Sequence, residues 1–107
     1  MKNTNIIGLQ EKDCNAIAEK LNQLLANYSV FYQNTRGAHW NIKGNDFFTL
    51  HPKFEELYNN LVLKIDEIAE RILTLGAVPN HNYSDYLKLS TIKESREVSY
   101  GNKCVEN

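Results

Sequence analysis

The chain has 107 residues, of which 42% are hydrophobic and 23% charged, which is typical of one small globular domain. Its net charge of −1 excludes a general electrostatic attraction to nucleic acid. No segment approaches the roughly 20 apolar residues that span a bilayer, and the N-terminus lacks the apolar core of a secretory signal. Two cysteines, Cys14 and Cys104, fit no metal-ligand spacing and are expected to be free thiols. These features predict a cytoplasmic protein that does not enter a membrane.

The first predicted element is an amphipathic helix from about Glu11 to about Arg36. Its apolar residues recur at alternating steps of four and three, the spacing of one helix face: Ile17, Leu21, Leu24, Tyr28 and Phe31. Gly37 is expected to end or loosen this helix. A polar turn follows, in which Asn45 or Asp46 is expected to cap the next helix with its side chain.

The second predicted helix is longer and begins near Phe47. Its apolar stripe keeps the same spacing: Phe54, Leu57, Leu61, Ile65, Ile68, Ile72 and Leu75. Pro52 either kinks its early turns or, if the helix starts at His51, lies in the first turn, and we favour the earlier start. Gly76 is expected to end the helix in a left-handed conformation, and a short helix capped by Ser84 is expected beyond it.

Two amphipathic helices of this size cannot cover each other's apolar stripes completely. The pattern therefore predicts an all-α fold that needs more helices, supplied by a continuation of the chain or by a partner.

The candidate metal ligands form two groups. His39 ends the first helix, and His51 lies near the start of the second, with Glu55 one turn later. Asp66 and Glu70 are four residues apart, so their carboxylates project from one face. Imidazole and carboxylate together suit iron, manganese or zinc.

Helix length separates these two groups. His51 and Asp66 are fifteen residues apart, or about 22 Å along a helix at 1.5 Å per residue. One metal cannot be held by both residues of a single straight helix. If the groups cooperate, the second must come from another subunit whose helix runs antiparallel, and two-fold symmetry then gives two identical sites.

Structural interpretations stay open at this point. A histidine at a helix end is often a hydrogen-bonded structural residue, and the acids of the second helix suit a solvated face with a Glu67–Arg71 ion pair. Trp40 fits a packing role, and His81 lies in a polar loop and is interpreted as a surface residue. Spacing alone makes a metal site possible without requiring one.

Three segments resemble the Dps family, the mini-ferritins that protect DNA in starved cells. They read HWNIKGNDFFTLH at 39–51, FEELY at 54–58 and DEIAERILTLG at 66–76, and STIKE at 90–94 resembles the family's inter-helix region. The resemblance implies a single ferritin-like domain over residues 1–107. The family's four-helix bundle would receive from this chain its first two long helices and a short inter-helix segment. Because no third long helix begins within the sequence, we expect a fragment of a longer product.

The resemblance also implies a di-iron site at a dimer interface. His39 and His51 would bind iron from one chain, and Asp66 and Glu70 from its partner. Glu55 matches a further acid near the site and is a second-rank ligand. Trp40 would shield the site and accept reactive electrons. Glu56 is one candidate among inner-face acids that seed mineral.

The implied activity is that of a ferroxidase that uses hydrogen peroxide. Two iron(II) ions per event would consume the peroxide without releasing hydroxyl radicals, and ferric mineral would fill a homo-oligomeric shell of twelve subunits. DNA binding is not supported, because the N-terminus carries one lysine, Lys2. The alternatives are a DNA-coating or structural shell protein with an idle metal site, and a helical interaction module.

Overall fold

The computed structural model describes residues 11–96, which fold as a helical hairpin with a short third helix. Helix α1 spans Glu11–Asn41, a 3-10 turn spans Gly44–Asp46, α2 spans Phe47–Thr74, and α3 spans Tyr83–Leu89. Helices α1 and α2 run antiparallel along their length, and α3 packs against α1. Every regular element in the described range is helical, which confirms the expected all-α fold with two long helices and a short inter-helix segment.

The predicted end of the second helix at Gly76 is confirmed, and its geometry explains the stop. Gly76 has φ of 82°, in the left-handed region that favours glycine. Its N–H donates to the carbonyl of Leu73 at 2.9 Å, and the N–H of Ala77 donates to that of Ile72 at 3.2 Å. These two bonds satisfy carbonyls that the end of a helix would otherwise leave without partners.

The expectation that Gly37 would end the first helix is wrong, because α1 continues to Asn41. A glycine inside a helix costs about 1 kcal/mol relative to alanine. The next turn offsets this cost, because Ala38 and His39 are buried against the rest of the hairpin. The N–H of Ile42 also donates to the carbonyl of Ala38 at 3.0 Å, which extends the bonding by one more residue.

The second helix starts at Phe47, as favoured from the sequence, with Pro52 inside it. Two expected capping bonds are wrong. Asp46 occupies the N-cap position of α2 but its side chain makes no capping hydrogen bond. The N-cap of α3 is Asn82 rather than Ser84, again without a side-chain bond. The predicted capping residues therefore lie within two positions of the observed helix starts, although their side chains form no capping hydrogen bond.

The buried face of α1 differs from the apolar stripe expected from the sequence. It combines the larger Leu25 and His39 with several small side chains, which let neighbouring elements approach closely. The buried residues of α1 are Cys14, Ala18, Leu25, Ala26, Val30, Thr35, Ala38 and His39. In contrast, Ile17, Leu24 and Phe31 are each about 40% exposed. On α2, Leu61 and Ile72 are buried as expected. Ile17, Leu24 and Phe31 thus form an open apolar face on α1, and the need for further helices stays a prediction.

Asparagine side chains of α1 fix the segment that follows α2. Asn22 donates from Nδ2 to the carbonyl of Val78 at 3.3 Å and accepts from the N–H of Asn80 at 2.8 Å. Two further asparagines accept from backbone N–H groups of the same segment: Asn27 from Thr91 at 2.7 Å and Asn34 from Ser95 at 2.9 Å. These bonds satisfy backbone groups in a segment that has little regular structure of its own.

Candidate metal centre

The two candidate histidines meet at the loop end of the hairpin. His39 lies in the last turn of α1 and His51 in the first turns of α2, and the 3-10 turn brings them together. Their rings stack with centroids 3.6 Å apart and an angle of 19° between planes. His39 is buried, with 6% of its surface exposed, and His51 is partly buried. The fold thus brings two histidines that are twelve residues apart in the sequence into one pair of nearly parallel imidazoles.

Each histidine is held by the backbone of the other. Nδ1 of His39 lies 2.6 Å from the carbonyl oxygen of His51, and Nδ1 of His51 lies 2.7 Å from the carbonyl oxygen of His39. A carbonyl oxygen only accepts, so Nδ1 must carry the proton in both rings. In the neutral ring this leaves the lone pair on Nε2, the atom that a metal would use. A hydrogen bond to a carbonyl from the other nitrogen is the usual arrangement of metal-binding histidines.

Aromatic side chains enclose this histidine pair on two sides. Phe47 stacks on His51 with centroids 4.6 Å apart, and Tyr58 meets the His39 ring edge-on at 5.3 Å. Tyr32 supports Tyr58 from behind at 6.1 Å. Because the ring faces are covered by carbon atoms, the imidazoles have little freedom to rotate and little contact with water. The site is therefore oriented before any metal binds.

Sequence reasoning did not single out Phe47 and Tyr58 as neighbours of the histidines. A signal was available: Phe47 lies four residues before His51 and Tyr58 seven residues after it, which places all three on one side of α2. The contact of Tyr58 with His39, on the other helix, required the hairpin geometry.

Among the described residues, Trp40 makes no ring contact with either histidine. It is 56% exposed, and the guanidinium of Arg36 lies 4.7 Å from the centroid of its ring. Tyr32 contacts the same guanidinium at 5.2 Å. Within the described residues, the ring of Trp40 therefore contacts a cation rather than another aromatic ring. A shielding role for Trp40 stays a prediction.

The candidate acids lie in open surroundings. Asp66, Glu70 and Glu55 are exposed, and within residues 11–96 their carboxylates make neither a hydrogen bond nor an ion pair. The same range contains no Glu67–Arg71 ion pair, whereas Lys53 and Glu56 pair at 3.9 Å. The carboxylates of Asp66 and Glu70 are thus available for an external cation.

The structure does not bring the acids to the histidines. Asp66 lies fifteen residues beyond His51 on the same continuous helix, about 22 Å away along its axis. Among the residues that the structure describes, no group of three or more His, Cys, Asp or Glu side chains could hold a metal ion. The imidazole pair and the acid pair are therefore two separate groups within one chain.

A cavity of about 550 Å³ opens beside the acid pair. Asp66 and Ala69 line it from α2, and His81 lines it from the segment after α2. His81 is exposed and has Nδ1 3.3 Å from the carbonyl oxygen of Pro79, which agrees with its interpretation as a surface residue. The cavity itself has no signal in the sequence, because residues far apart in the chain form its walls.

Comparison with known proteins shows which family this chain belongs to. Residues 18–106 match the model of the ferritin-like domain. A crystal structure of the Dps protein from Vibrio cholerae O1, described as a member of a broad superfamily of ferritin-like diiron-carboxylate proteins, superposes with a TM-score of 0.90 at 56% identity. That match covers 94% of this chain and 63% of the other. A Dps protein from Bacillus brevis gives a TM-score of 0.85 at 36% identity, covering 92% of this chain and 66% of that one.

Similar sequences point to the same family as the solved structures do. An uncharacterised protein of Haemophilus influenzae is 60% identical over 92% of this chain, and a DNA protection during starvation protein of Porphyromonas gingivalis is 43% identical over 87%. This chain spans 62% and 58% of the lengths of those two proteins. None of the described helices is long and apolar enough to cross a membrane.

Proposed function

Because this chain belongs to the ferritin-like family, with named relatives in its Dps branch, we propose that it is a subunit of an iron(II)-oxidising, iron-storing mini-ferritin. The membership confirms the resemblance expected from the sequence. In this proposal His39, His51, Asp66 and Glu70 bind iron(II), and Glu55 is a second-rank ligand. In this proposal the protein protects the bacterial cytoplasm from oxidative damage.

The reciprocal hydrogen bonding of the histidine pair is the observation that supports the proposal. Nδ1 of each ring donates to a backbone carbonyl, so both Nε2 lone pairs are free of that role. The described residues offer neither Nε2 a hydrogen-bond partner. These bonds satisfy the N–H group of each ring, and they leave both Nε2 atoms able to bind a metal ion.

The carboxylates supply the other half of the chemistry. Iron(II) is the substrate, bound by imidazole nitrogen from one chain and by Asp66 and Glu70 from another. Anionic oxygen ligands favour iron(III), so they pull the ion towards its oxidised state. Two iron(II) ions give one electron each to hydrogen peroxide, whose O–O bond breaks. With two water molecules, the products are two FeOOH units and four protons.

A second copy of the chain must complete each site, because the two half-sites lie about 22 Å apart in one chain. A two-fold dimer supplies both halves twice and gives a di-iron centre at each end of the interface. Six such dimers would make the twelve-subunit shell in which ferric product is stored.

Oxidation of iron(II) by the full chain tests this function. Anaerobic protein is loaded with iron(II), peroxide is added, and ferric iron is followed by its ultraviolet absorbance. The double variant His39→Ala/His51→Ala should lose at least about 100-fold in rate. The control Lys88→Ala, at an exposed residue of α3 outside the cavity beside Asp66, should keep the rate of the unaltered chain.

An unchanged rate in the double histidine variant would overturn the assignment. Salt-dependent retardation of DNA by a chain that oxidises no iron would instead favour the alternative, a DNA-coating shell protein with an idle metal site.

A further inference from the structure

The outward face of α2 carries apolar side chains that nothing in the described residues covers. Phe48 is 85% exposed, Leu63 65%, Leu73 56% and Val62 43%. Phe48, Val62 and Ala69 lie on one face, because they are separated by multiples of seven residues. Seven residues make about two turns of an α-helix. The candidate ligand Glu55 belongs to the same series. Apolar residues and candidate ligands therefore share one unpartnered helix face.

The proposed function fixes how a second copy would meet this face. Its site requires His51 of one copy to lie opposite Asp66 of the other, with the two α2 helices antiparallel. Phe48 lies three residues before His51, and Ala69 lies three residues after Asp66. In an antiparallel pair, the same register therefore sets Phe48 opposite Ala69. Steps of three residues keep each pair on one helix face.

The cavity lies at the position that this register assigns to Phe48. Ala69, whose methyl side chain leaves room, lines this cavity together with the apolar residues Val62 and Leu63. Its volume of about 550 Å³ is ample for a phenyl ring. A buried phenylalanine removes roughly 150–250 Å² from water, so filling the cavity stabilises association strongly for a single side chain.

We propose that Phe48 of one copy inserts into the cavity at Ala69 of a second copy and so anchors the α2–α2 interface in the register that completes the metal site. The inference rests on the proposed function for its register and on the exposure of Phe48 and the cavity for its contact. By symmetry each dimer contains two such insertions. Phe48 is then a positioning residue, which acts on iron only by holding the imidazoles against the opposing carboxylates.

Crosslinking tests the contact directly. Chains carrying Phe48→Cys and chains carrying Ala69→Cys, both with Cys104→Ser, are mixed and treated with a short bis-maleimide. Mass spectrometry should identify a dominant peptide pair linking positions 48 and 69 of different chains. The control mixture, Phe48→Cys with Lys88→Cys, should give little product, because exposed Lys88 lies on α3 outside the cavity. Equal yields in the two mixtures would overturn the inference.

Exchanging the two side chains tests the energetics. Phe48→Ala should weaken dimerisation at least about tenfold in sedimentation equilibrium, and Ala69→Phe should weaken it by filling the cavity. The double variant Phe48→Ala/Ala69→Phe restores one large and one small partner at each contact, and should recover most of the affinity. Tyr83→Ala is the matched control, since Tyr83 is 83% exposed but does not line this cavity.

The two proposals fail in different ways. Loss of iron oxidation with intact 48–69 crosslinking would remove the proposed function and leave the contact standing. Iron oxidation with no effect of Phe48→Ala on dimerisation would remove the contact and leave the function standing. A chain that stays monomeric at every concentration also contradicts the contact.

Discussion

At the loop end of the hairpin, His39 is buried and each imidazole donates to a carbonyl of the other residue. Further along α2, by contrast, Asp66 and Glu70 are exposed, and their carboxylates have no partner among residues 11–96. The imidazoles are held by aromatic rings and by the backbone of their own chain. The carboxylates keep their hydration until another group approaches. One half of the proposed site is thus organised by folding, and the other half would become organised by assembly.

This difference has a physical reason. A neutral imidazole can be buried if its N–H finds an acceptor, which the hairpin provides. A buried carboxylate without a cation or hydrogen-bond donor would be strongly destabilising. A chain whose proposed site is completed only by a second copy can therefore bury His39 on folding, but it has to leave Asp66 and Glu70 in water.

Mixing complementary variants gives the largest expected effect. His39→Ala/His51→Ala chains lack the imidazole half-site, and Asp66→Ala/Glu70→Ala chains lack the acid half-site, so each alone should oxidise iron at the background rate. When the two are unfolded together and refolded at equal amounts, random pairing makes half of the dimers mixed. Each mixed dimer has one intact site of two, so the rate should recover to about one quarter of that of the unaltered chain.

The control for this experiment mixes two variants with the same half-site removed, which cannot complement each other. Recovery in that control, or none in the complementary mixture, would contradict a site shared between chains.

The second largest effect is expected in the free energy of unfolding, which should respond differently to changes in the two half-sites. His39→Ala removes a buried ring, its stack on His51 and its hydrogen bond, and should lower the free energy of unfolding by roughly 2–4 kcal/mol. Asp66→Ala removes an exposed carboxylate that has no partner in the described part of the chain, and should change the free energy of unfolding by less than about 0.5 kcal/mol. Urea denaturation of the iron-free chain measures both values. Similar losses in the two variants would show that the contrast between the half-sites is wrong.

The sequence predicted the long helices well because their apolar spacing and the left-handed Gly76 are local signals. It misjudged Gly37, since only packing of Ala38 and His39 keeps α1 helical beyond it. The sequence pattern selected the stripe of Ile17, Leu24 and Phe31 because these residues are large and regularly spaced, whereas α1 buries Leu25 together with small residues such as Ala18 and Ala26. The ligand types and their spacing were readable in the sequence, but the reciprocal bonds of the imidazoles depend on how two helices meet.

The smallest expected effect concerns residues 78–81, which follow α2 and line the cavity beside Asp66. Asn22→Ala removes two hydrogen bonds to the backbone of Val78 and Asn80, and should cost about 1–2 kcal/mol of global stability at most. Amide hydrogen exchange at Asn80 should speed up because its N–H loses its acceptor. The neighbouring Gln23→Ala is the matched control, since Gln23 is exposed and makes no hydrogen bond in the described part of the chain. If exchange at Asn80 is equally fast in both variants, Asn22 does not fix the position of Asn80. The hydrogen bond that the Tyr86 hydroxyl donates to the Asn80 carbonyl at 2.8 Å would then have to fix it.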